Sequence, residues 1–289
     1  MNSMQKLLLS IFTLLIMSGA AIAQSTPDVI KGKVWNRWTS NNFTVHAIAD
    51  DQGKYLKNNL EGVKTWVLTR WGFDDIDFDV EVKLWCVGDR ELFEALYPSL
   101  DGSKVEVRKE DGKVKVVEAF LLLDDRPSRA LPAPMTEICI ALFEEKYNVK
   151  FGLWSRKGMT LLNGSETQIR DRLKELSPKI TSDTSVFLSK TLLTTSKEDY
   201  AKFNPQEQAL FDSESMVLCL LLRKEFGQTR LLHFLKEIDV EKGLKTIYGF
   251  RSYDHFDTSF YRYAKDLIRD AGEGKTPSHY LLIQKAGAK

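Results

Sequence analysis

The side chains that most often bind metals or act as nucleophiles are few in this chain and widely spaced. No histidine has another four residues away or neighbours a cysteine, so a histidine metal site is not indicated and we expect core or surface histidines. The four are His46, His233, His255 and His279. The cysteines lie in apolar stretches, which favours buried free thiols, although one pair could form a disulfide. They are Cys86, Cys139 and Cys219.

Two other patterns could support chemistry, and each has a simpler explanation. Asp124-Asp125 follows an apolar run and could bind a cation at a strand end, but aspartate also commonly begins a loop. Ser155 and Ser165 have no histidine and acid partners placed by the sequence. We therefore expect the aspartates to begin a loop, and a serine hydrolase is not indicated.

The first 23 residues have the pattern of a signal peptide. Lys6 precedes the apolar run of residues 7–17, and Ala21-Ile22-Ala23 is a typical cleavage sequence. The run is too short to span a membrane comfortably. We expect cleavage near Ala23 and a periplasmic or secreted protein with no stable membrane span, and an uncleaved N-terminal anchor is the alternative.

Charge and composition argue against two classes of partner. The chain carries 41 basic and 40 acidic residues, which leaves a formal net charge of +1. Electrostatic capture of nucleic acid or of an anionic membrane is therefore not expected. The 43% hydrophobic content is ordinary for a globular protein, and the length after the leader suits one large domain or two subdomains.

Residues 24–130 are predicted to form a mixed β-sheet with packed helices, after an exposed lead-in over residues 24–40. Strands are expected where apolar residues alternate, and a helix where they recur at helical spacing. Gly72 is a helix stop, Asp89 an N-cap, and Asp111-Gly112 a hairpin turn. The predicted elements are strands at 43–48, 78–87, 105–107, 114–117 and 119–123 and helices at 55–71 and 89–96.

From Pro132 onward the pattern is helical, because a proline can begin a helix without losing a hydrogen bond. The predicted helices are 132–147, one beginning near Ser165, 209–226, 230–238, 242–248 and 253–268. The sequence therefore predicts an α+β fold, with an N-terminal mixed sheet and a mostly α-helical C-terminal half. We assign the helical subdomain to residues 131–270 and a flexible tail to residues 271–289.

This order of elements resembles the gluzincin peptidases of the thermolysin-like superfamily, in particular the short bacterial peptidase-MA-like proteins. Thr136-Glu137-Ile138-Cys139-Ile140 stands where that family carries H-E-x-x-H, and Trp154-Ser155-Arg156-Lys157-Gly158 stands where it carries W-x-x-E-G. The apolar run 211–226 and the ending 249–260 are similar to the family's late helices. In pattern, the resemblance covers most of the mature chain.

The resemblance implies a degenerate zinc site. The two histidines of the family become Thr136 and Ile140, its glutamate ligand becomes Lys157, and only the general-base position survives, as Glu137. Zinc needs about four donors, so we expect no metal, no cofactor and no conventional hydrolysis here. Trp154 is the candidate for lining a remnant of the peptide groove, where a peptide would bind by strand addition.

Three functions follow from this interpretation. The first is an exported, inactive peptidase relative that binds a peptide or an envelope protein through the remnant groove. The second is a hydrolase with an unconventional site that uses Glu137, and the third is a structural domain of an envelope assembly. The sequence also suggests that Lys157 replaces zinc electrostatically by pairing with Glu137, unless both side chains are simply solvated.

Overall fold

The computed structural model describes residue 32 and residues 34–97, 103–123, 131–164, 166–182 and 187–274. Within these residues it contains five strands and eleven helices, with the strands all in the N-terminal half. The predicted α+β fold is therefore confirmed. The predicted leader, Asp124-Asp125, Ser165 and almost all of the predicted tail lie outside the described residues.

The strands form one mixed sheet. They are β1 (Asn36–Thr39), β2 (Phe43–Ala47), β3 (Glu81–Val87), β4 (Ser103–Glu110) and β5 (Lys113–Leu122). Their order is β1-β2-β3-β5-β4, in which β2, β3 and β5 are parallel and each outer strand is antiparallel to its neighbour. The two short runs predicted at 114–117 and 119–123 are one continuous strand, β5.

Helices cover both faces of the sheet. The first five are α1 (Asp50–Trp71), α2 (Arg90–Leu96), α3 (Pro132–Tyr147), α4 (Leu153–Leu162) and α5 (Glu166–Ser182). The others are α6 (Ser189–Thr194), α7 (Lys197–Tyr200), α8 (Pro205–Phe226), α9 (Gln228–Lys236), α10 (Val240–Tyr248) and α11 (Tyr253–Gly272). α2 packs against Phe120 and Leu122 on one face, and α1 and α3 cover the other, from which the remaining helices extend. The helices for which bounds were predicted agree with the structure to within about five residues at each end, whereas no bounds were predicted for α4, α6 and α7.

Several local signals act as the sequence predicts. The Asp89 carboxylate accepts a hydrogen bond from the Leu92 backbone N–H at 3.1 Å and caps α2. Gly72 ends α1 in the left-handed conformation, with φ of 72°. Asp111 and Gly112 both have positive φ in the β4–β5 turn, as a tight hairpin requires.

β1 is a strand that the sequence pattern did not predict, within the segment at residues 24–40 that was expected to be an exposed lead-in. This strand is only four residues long, and three of the four are exposed, so it carries no clear alternation of apolar and polar residues. The Trp38 ring packs over Gly53 of α1, where an added Cβ would collide with it. Trp35 stacks edge-on against Trp85, with ring centroids 5.4 Å apart. Both tryptophans therefore pack against the body of the protein.

The inner face of the sheet is built from the alternate apolar residues of three parallel strands. Val45 of β2 lies beside Leu84 of β3, which lies beside Ala119 of β5, and all three are buried. α1 packs on β1 and β2, and α3 packs on β4 and β5 and against α1. The sheet thus fixes the position of α3, the helix that carries Glu137.

A close approach of α4 to α8 joins the helical half to the sheet and to the helices that pack on it. α4 contacts α3 on one side and α8 on the other. Gly158 lies at the α8 contact, where a Cβ would collide with the backbone oxygen of Ser215 and the Cys219 sulfur. One apolar core runs through the contact, because buried residues of the sheet, α3, α4 and α8 belong to the same cluster.

Candidate functional site

The residues predicted for the site lie on α3 and α4, which pack side by side. Pro132 occupies the first turn of α3, and Asn148 ends the helix in the left-handed conformation. The chain then turns back, and α4 begins after Gly152 in extended conformation. This reversal brings the polar face of α4 against the side of α3 that carries Thr136 and Glu137.

Glu137 binds two groups of α4. Its Oε2 lies 2.7 Å from Nη1 of Arg156, and its Oε1 accepts a hydrogen bond from the Thr160 hydroxyl at 3.1 Å. The side chains of Glu137 and Arg156 are 30% and 27% exposed, so this ion pair is only partly shielded from water. Both carboxylate oxygens of Glu137 are therefore occupied in this structure.

Arg156 also binds a second acid of α3. Its Nη2 donates to Oε2 of Glu144, while Oε1 of Glu144 accepts the backbone N–H of Phe151 at 2.6 Å. Glu137 and Glu144 are two helical turns apart on one face of α3, so one guanidinium can bridge both. The turn between α3 and α4 is thereby fixed by charge-assisted hydrogen bonds.

The two positions where the resemblance places histidines are core positions. Thr136 is buried, and its hydroxyl donates to the Pro132 carbonyl at 2.8 Å and accepts from the Asn163 amide. Ile140 is fully buried in the main apolar core. The hydroxyl of Thr136 is thus committed to the contact with the end of α4, and Ile140 offers no donor atom.

Lys157 faces away from Glu137, which corrects the pairing that the sequence suggests. Its Nζ lies 3.0 Å from the Tyr200 hydroxyl and 3.3 Å from Oδ2 of Asp212. Tyr200 in turn donates to the other oxygen of Asp212 at 3.0 Å. Consecutive helical residues point about 100° apart, so Arg156 reaches α3 while Lys157 reaches α8.

The Lys157 group is an internal ion pair. Burial alone would lower the pKa of Lys157, but Asp212 and Tyr200 outweigh it and raise this pKa. Burial raises the pKa of Asp212, and the attraction of Lys157 offsets part of that effect. Lys157 is therefore a protonated ammonium at neutral pH that joins α4, α7 and α8, and it cannot serve as a metal ligand or a base.

Trp154 lies in the core of this structure. It is 3% exposed, and its ring centroid lies 6.0 Å from that of Phe234 on α9. Its indole nitrogen also lies beside Gly152, where an added Cβ would come within 2.6 Å. A peptide could contact Trp154 only if the surrounding side chains moved, so the indole does not form the wall of an open groove here.

The residues of the α3–α4 contact do not fit a zinc ion. Their oxygen donors are the hydroxyls of Thr136 and Thr160, the Asn163 amide and two carboxylates already bound to Arg156, and none of the group is a histidine or cysteine. In the part of the chain that the structure describes, no three histidine, cysteine, aspartate or glutamate side chains come together as a metal site would require.

The three cysteines and His46 lie among apolar or aromatic side chains. All three cysteines are free and buried, as favoured by their apolar surroundings, and burial raises the pKa of Cys86 and of Cys139 to about 12. His46 stacks on Trp85 with ring centroids 4.1 Å apart. Burial first, then the charges of Arg37 and Lys83, lower its pKa.

Sequence reasoning missed the residues that organise this site. Arg156 and Thr160 are four residues apart on α4 and both reach Glu137, a spacing that the sequence displays. Asn163 continues the same face to Thr136. Alignment with the W-x-x-E-G motif pointed to Lys157. The spacing of Arg156 and Thr160, one helical turn apart, identifies the face of α4 that meets α3.

Comparison of the chain with models of known protein families and with curated protein sequences found no match. None of the helices in the described ranges has both the length and the apolar composition needed to cross a membrane.

Proposed function

We propose that this protein is an exported, non-catalytic relative of the gluzincin peptidases that binds an extended peptide or protein segment at the edge of its sheet. The single observation that carries the proposal is the engagement of Glu137 by Arg156 and Thr160. Each oxygen of Glu137 keeps a second lone pair, but the Arg156 guanidinium and the Thr160 hydroxyl fix the direction of the carboxylate toward α4, and no metal ligand among the described residues stands beside it to hold a water for activation. Glu137 instead stabilises the contact between α3 and α4.

The edge of the sheet at β4 supports a binding role. In the described part of the chain β4 pairs with β5 alone, so one side of this eight-residue strand keeps unpaired backbone groups. An extended peptide can satisfy those groups by adding a further strand. Strand addition is the mode expected for the remnant groove, and the proposal assigns it to the edge of the sheet at β4.

Val107 gives this edge an apolar contact point. It lies opposite Val117 of β5, which is buried on the face of the sheet covered by α3, whereas Val107 itself is exposed. Residues directly opposite in an antiparallel pair share a face. A side chain of an added strand could therefore pack against Val107 beside α3.

The binding proposal is tested on an array of synthetic decapeptides of random sequence. The protein is expected to retain a subset of peptides, and N-methylation of alternate backbone positions should weaken those peptides by about tenfold or more, because strand addition uses main-chain hydrogen bonds. Val107→Asp should abolish retention. Ile238→Asp is the matched control, since Ile238 is also an exposed aliphatic residue. Equal retention by the Val107 variant and the wild type would refute binding at β4.

The competing hydrolase function is tested separately. Protein purified without chelators and dialysed is analysed for zinc and assayed against a mixture of fluorogenic peptides. We expect substoichiometric zinc and no turnover above that of a Glu137→Gln variant. One tightly held zinc per chain, or turnover that depends on Glu137, would reject the non-catalytic proposal and favour an unconventional peptidase.

Export is part of the proposal and has its own test. The support is the charged, apolar and small-residue pattern of residues 1–23. N-terminal sequencing of protein recovered from the periplasmic fraction of a bacterial host should give a chain that begins at Gln24. Recovery of the uncleaved chain in the membrane fraction would instead support an N-terminal anchor.

A further inference from the structure

Two arginines, one buried and one half-buried, lie at neighbouring helix ends without an acid partner among the described residues. Arg70 is in the last turn of α1 and is 7% exposed, and Arg223 is in the last turn of α8 and half-buried. Neither forms an ion pair within 4.0 Å with any acid in the described ranges. Buried charges in proteins are normally paired, so two unpaired cations close together need an explanation.

Tryptophan rings hold both guanidinium groups in place. The Cζ atom of Arg223 lies 5.2 Å from the ring centroid of Trp71, the residue that follows Arg70. Arg70 itself lies under Trp66, with Cζ 4.7 Å from that ring centroid. Its Nη2 donates to the Leu162 carbonyl at the end of α4, at 2.7 Å. The positions of both cations are therefore fixed before any ligand binds.

Three buried N–H donors in this cluster have no acceptor in the part of the chain that the structure describes. They are Nε of Arg70, Nε1 of Trp71 and Nη1 of Arg223. The Leu162 carbonyl satisfies one other N–H of Arg70 but carries no net charge to neutralise a cation. Water could occupy the free donors, yet it would leave both positive charges in a partly dry environment.

The charges of the two arginines oppose one another. Burial first, and then the charge of Arg223, lower the pKa of Arg70 to about 9. Burial likewise lowers the pKa of Arg223. Among the described residues, no acidic group raises the pKa of either arginine. The cluster therefore presents hydrogen-bond donors and two positive charges, and no described residue supplies an anionic acceptor for them.

We propose that Arg70, Trp71 and Arg223 form a binding site for a tetrahedral oxyanion, the phosphate or sulfate group of a small ligand. Two positive charges match a dianion, and guanidinium groups bind phosphate oxygens through parallel N–H donors. The partly exposed Arg223 provides the entrance, and the buried Arg70 forms the floor. The site is independent of the Glu137 contact and of the β4 edge.

Calorimetric titration of the full chain with inorganic phosphate, in chloride buffer of matched ionic strength, is the decisive experiment. We expect saturable binding and, at millimolar phosphate, a rise in Tm of about 3–8 °C. Sulfate should act similarly, and acetate should not. O-phosphoserine separates the two sources of the ligand group: tighter binding than phosphate assigns a phosphomonoester, and weaker binding assigns the free ion. Absence of saturable phosphate binding, or an equal response to acetate, would overturn the proposal.

Paired variants locate the site. Arg223→Gln keeps a hydrogen-bonding side chain but removes one charge, and it should weaken phosphate binding about tenfold or more. In chloride its Tm should equal or exceed that of the wild type, because a repulsion is removed. Arg230→Gln removes an exposed arginine of α9 and should bind phosphate like the wild type. Unchanged binding by Arg223→Gln would show that phosphate binds elsewhere. If that variant does not fold, the wild-type titration still decides the proposal.

Discussion

Replacing Arg156 with methionine removes the cation that holds Glu137 and Glu144 while keeping an unbranched, helix-compatible side chain. The substitution breaks the 2.7 Å contact with Glu137 and the shorter contact with Glu144. It leaves two partly buried carboxylates of α3 without their counter-charge. Because these bonds fix the turn between α3 and α4, the loss should appear in the stability of the whole chain.

The expected magnitude follows from the geometry of the two bonds. A hydrogen bond to a charged group contributes about 1.5–3 kcal/mol when shielded, whereas an exposed ion pair contributes about 0.2–1 kcal/mol. The side chains here are 27% (Arg156), 30% (Glu137) and 18% (Glu144) exposed, which places them between these limits. We expect Arg156→Met to lower the free energy of unfolding by about 2–3 kcal/mol, or Tm by roughly 5–10 °C.

Urea unfolding followed by circular dichroism measures this loss, and Arg251→Met is the matched control. Arg251 is exposed and forms no ion pair in the described structure, so its replacement should change stability by less than about 0.5 kcal/mol. A double-mutant cycle with Glu137→Gln should give a coupling energy of about 1 kcal/mol or more. A loss as small as that of the control, or a coupling near zero, would refute the structural role assigned to Arg156.

Three further predictions concern packing, pH and the predicted zinc positions. Gly158→Ala should lower stability by about 1–3 kcal/mol, because the added Cβ would collide with the backbone of α8. Gly62→Ala should raise stability by about 0.5–1 kcal/mol, because a Cβ on this residue of α1 meets no other atom of the described residues. Thermal unfolding measures both changes. His46 has a lowered pKa in the folded state, so the stability it contributes is present above pH 6.5 and is lost as the pH falls through the folded-state pKa. The wild type should therefore lose more stability than His46→Gln between about pH 7 and 5. Equal losses in urea unfolding curves of the two proteins would contradict this. Thr136→His combined with Ile140→His should lower Tm without creating a stoichiometric zinc site, because both positions are buried and no third ligand is near; zinc analysis after dialysis tests it.

Much of the fold follows from patterns that are local in sequence. The strict alternation near residues 81–87 and the helical spacing before Gly72 locate β3 and α1 without any tertiary information. Asp89 and Asp111-Gly112 specify a helix start and a hairpin by their own backbone preferences. β1 escaped prediction because it is short, exposed and stabilised mainly by pairing with β2 and by Trp38.

The site was predicted less well because its contacts join residues far apart in sequence. Motif position directed attention to Lys157, but Arg156, one residue earlier, is the cation that meets Glu137. Trp154 has the flanking glycine and polar residues of a cleft residue, yet α9 covers it with Phe234. Neither outcome can be read from spacing, because both depend on the rotation of α4 between α3 and α8.

The sequence by itself determined the class of fold, the boundaries of most helices and strands, and the absence of histidine donors at the Thr136 and Ile140 positions. Those properties depend on side-chain identity and on period along the chain. Only the tertiary structure decided that Glu137 is bound by Arg156 and that Arg70 lies close to Arg223. Such pairings depend on how helices pack in three dimensions, because adjacent residues of a helix face different neighbours.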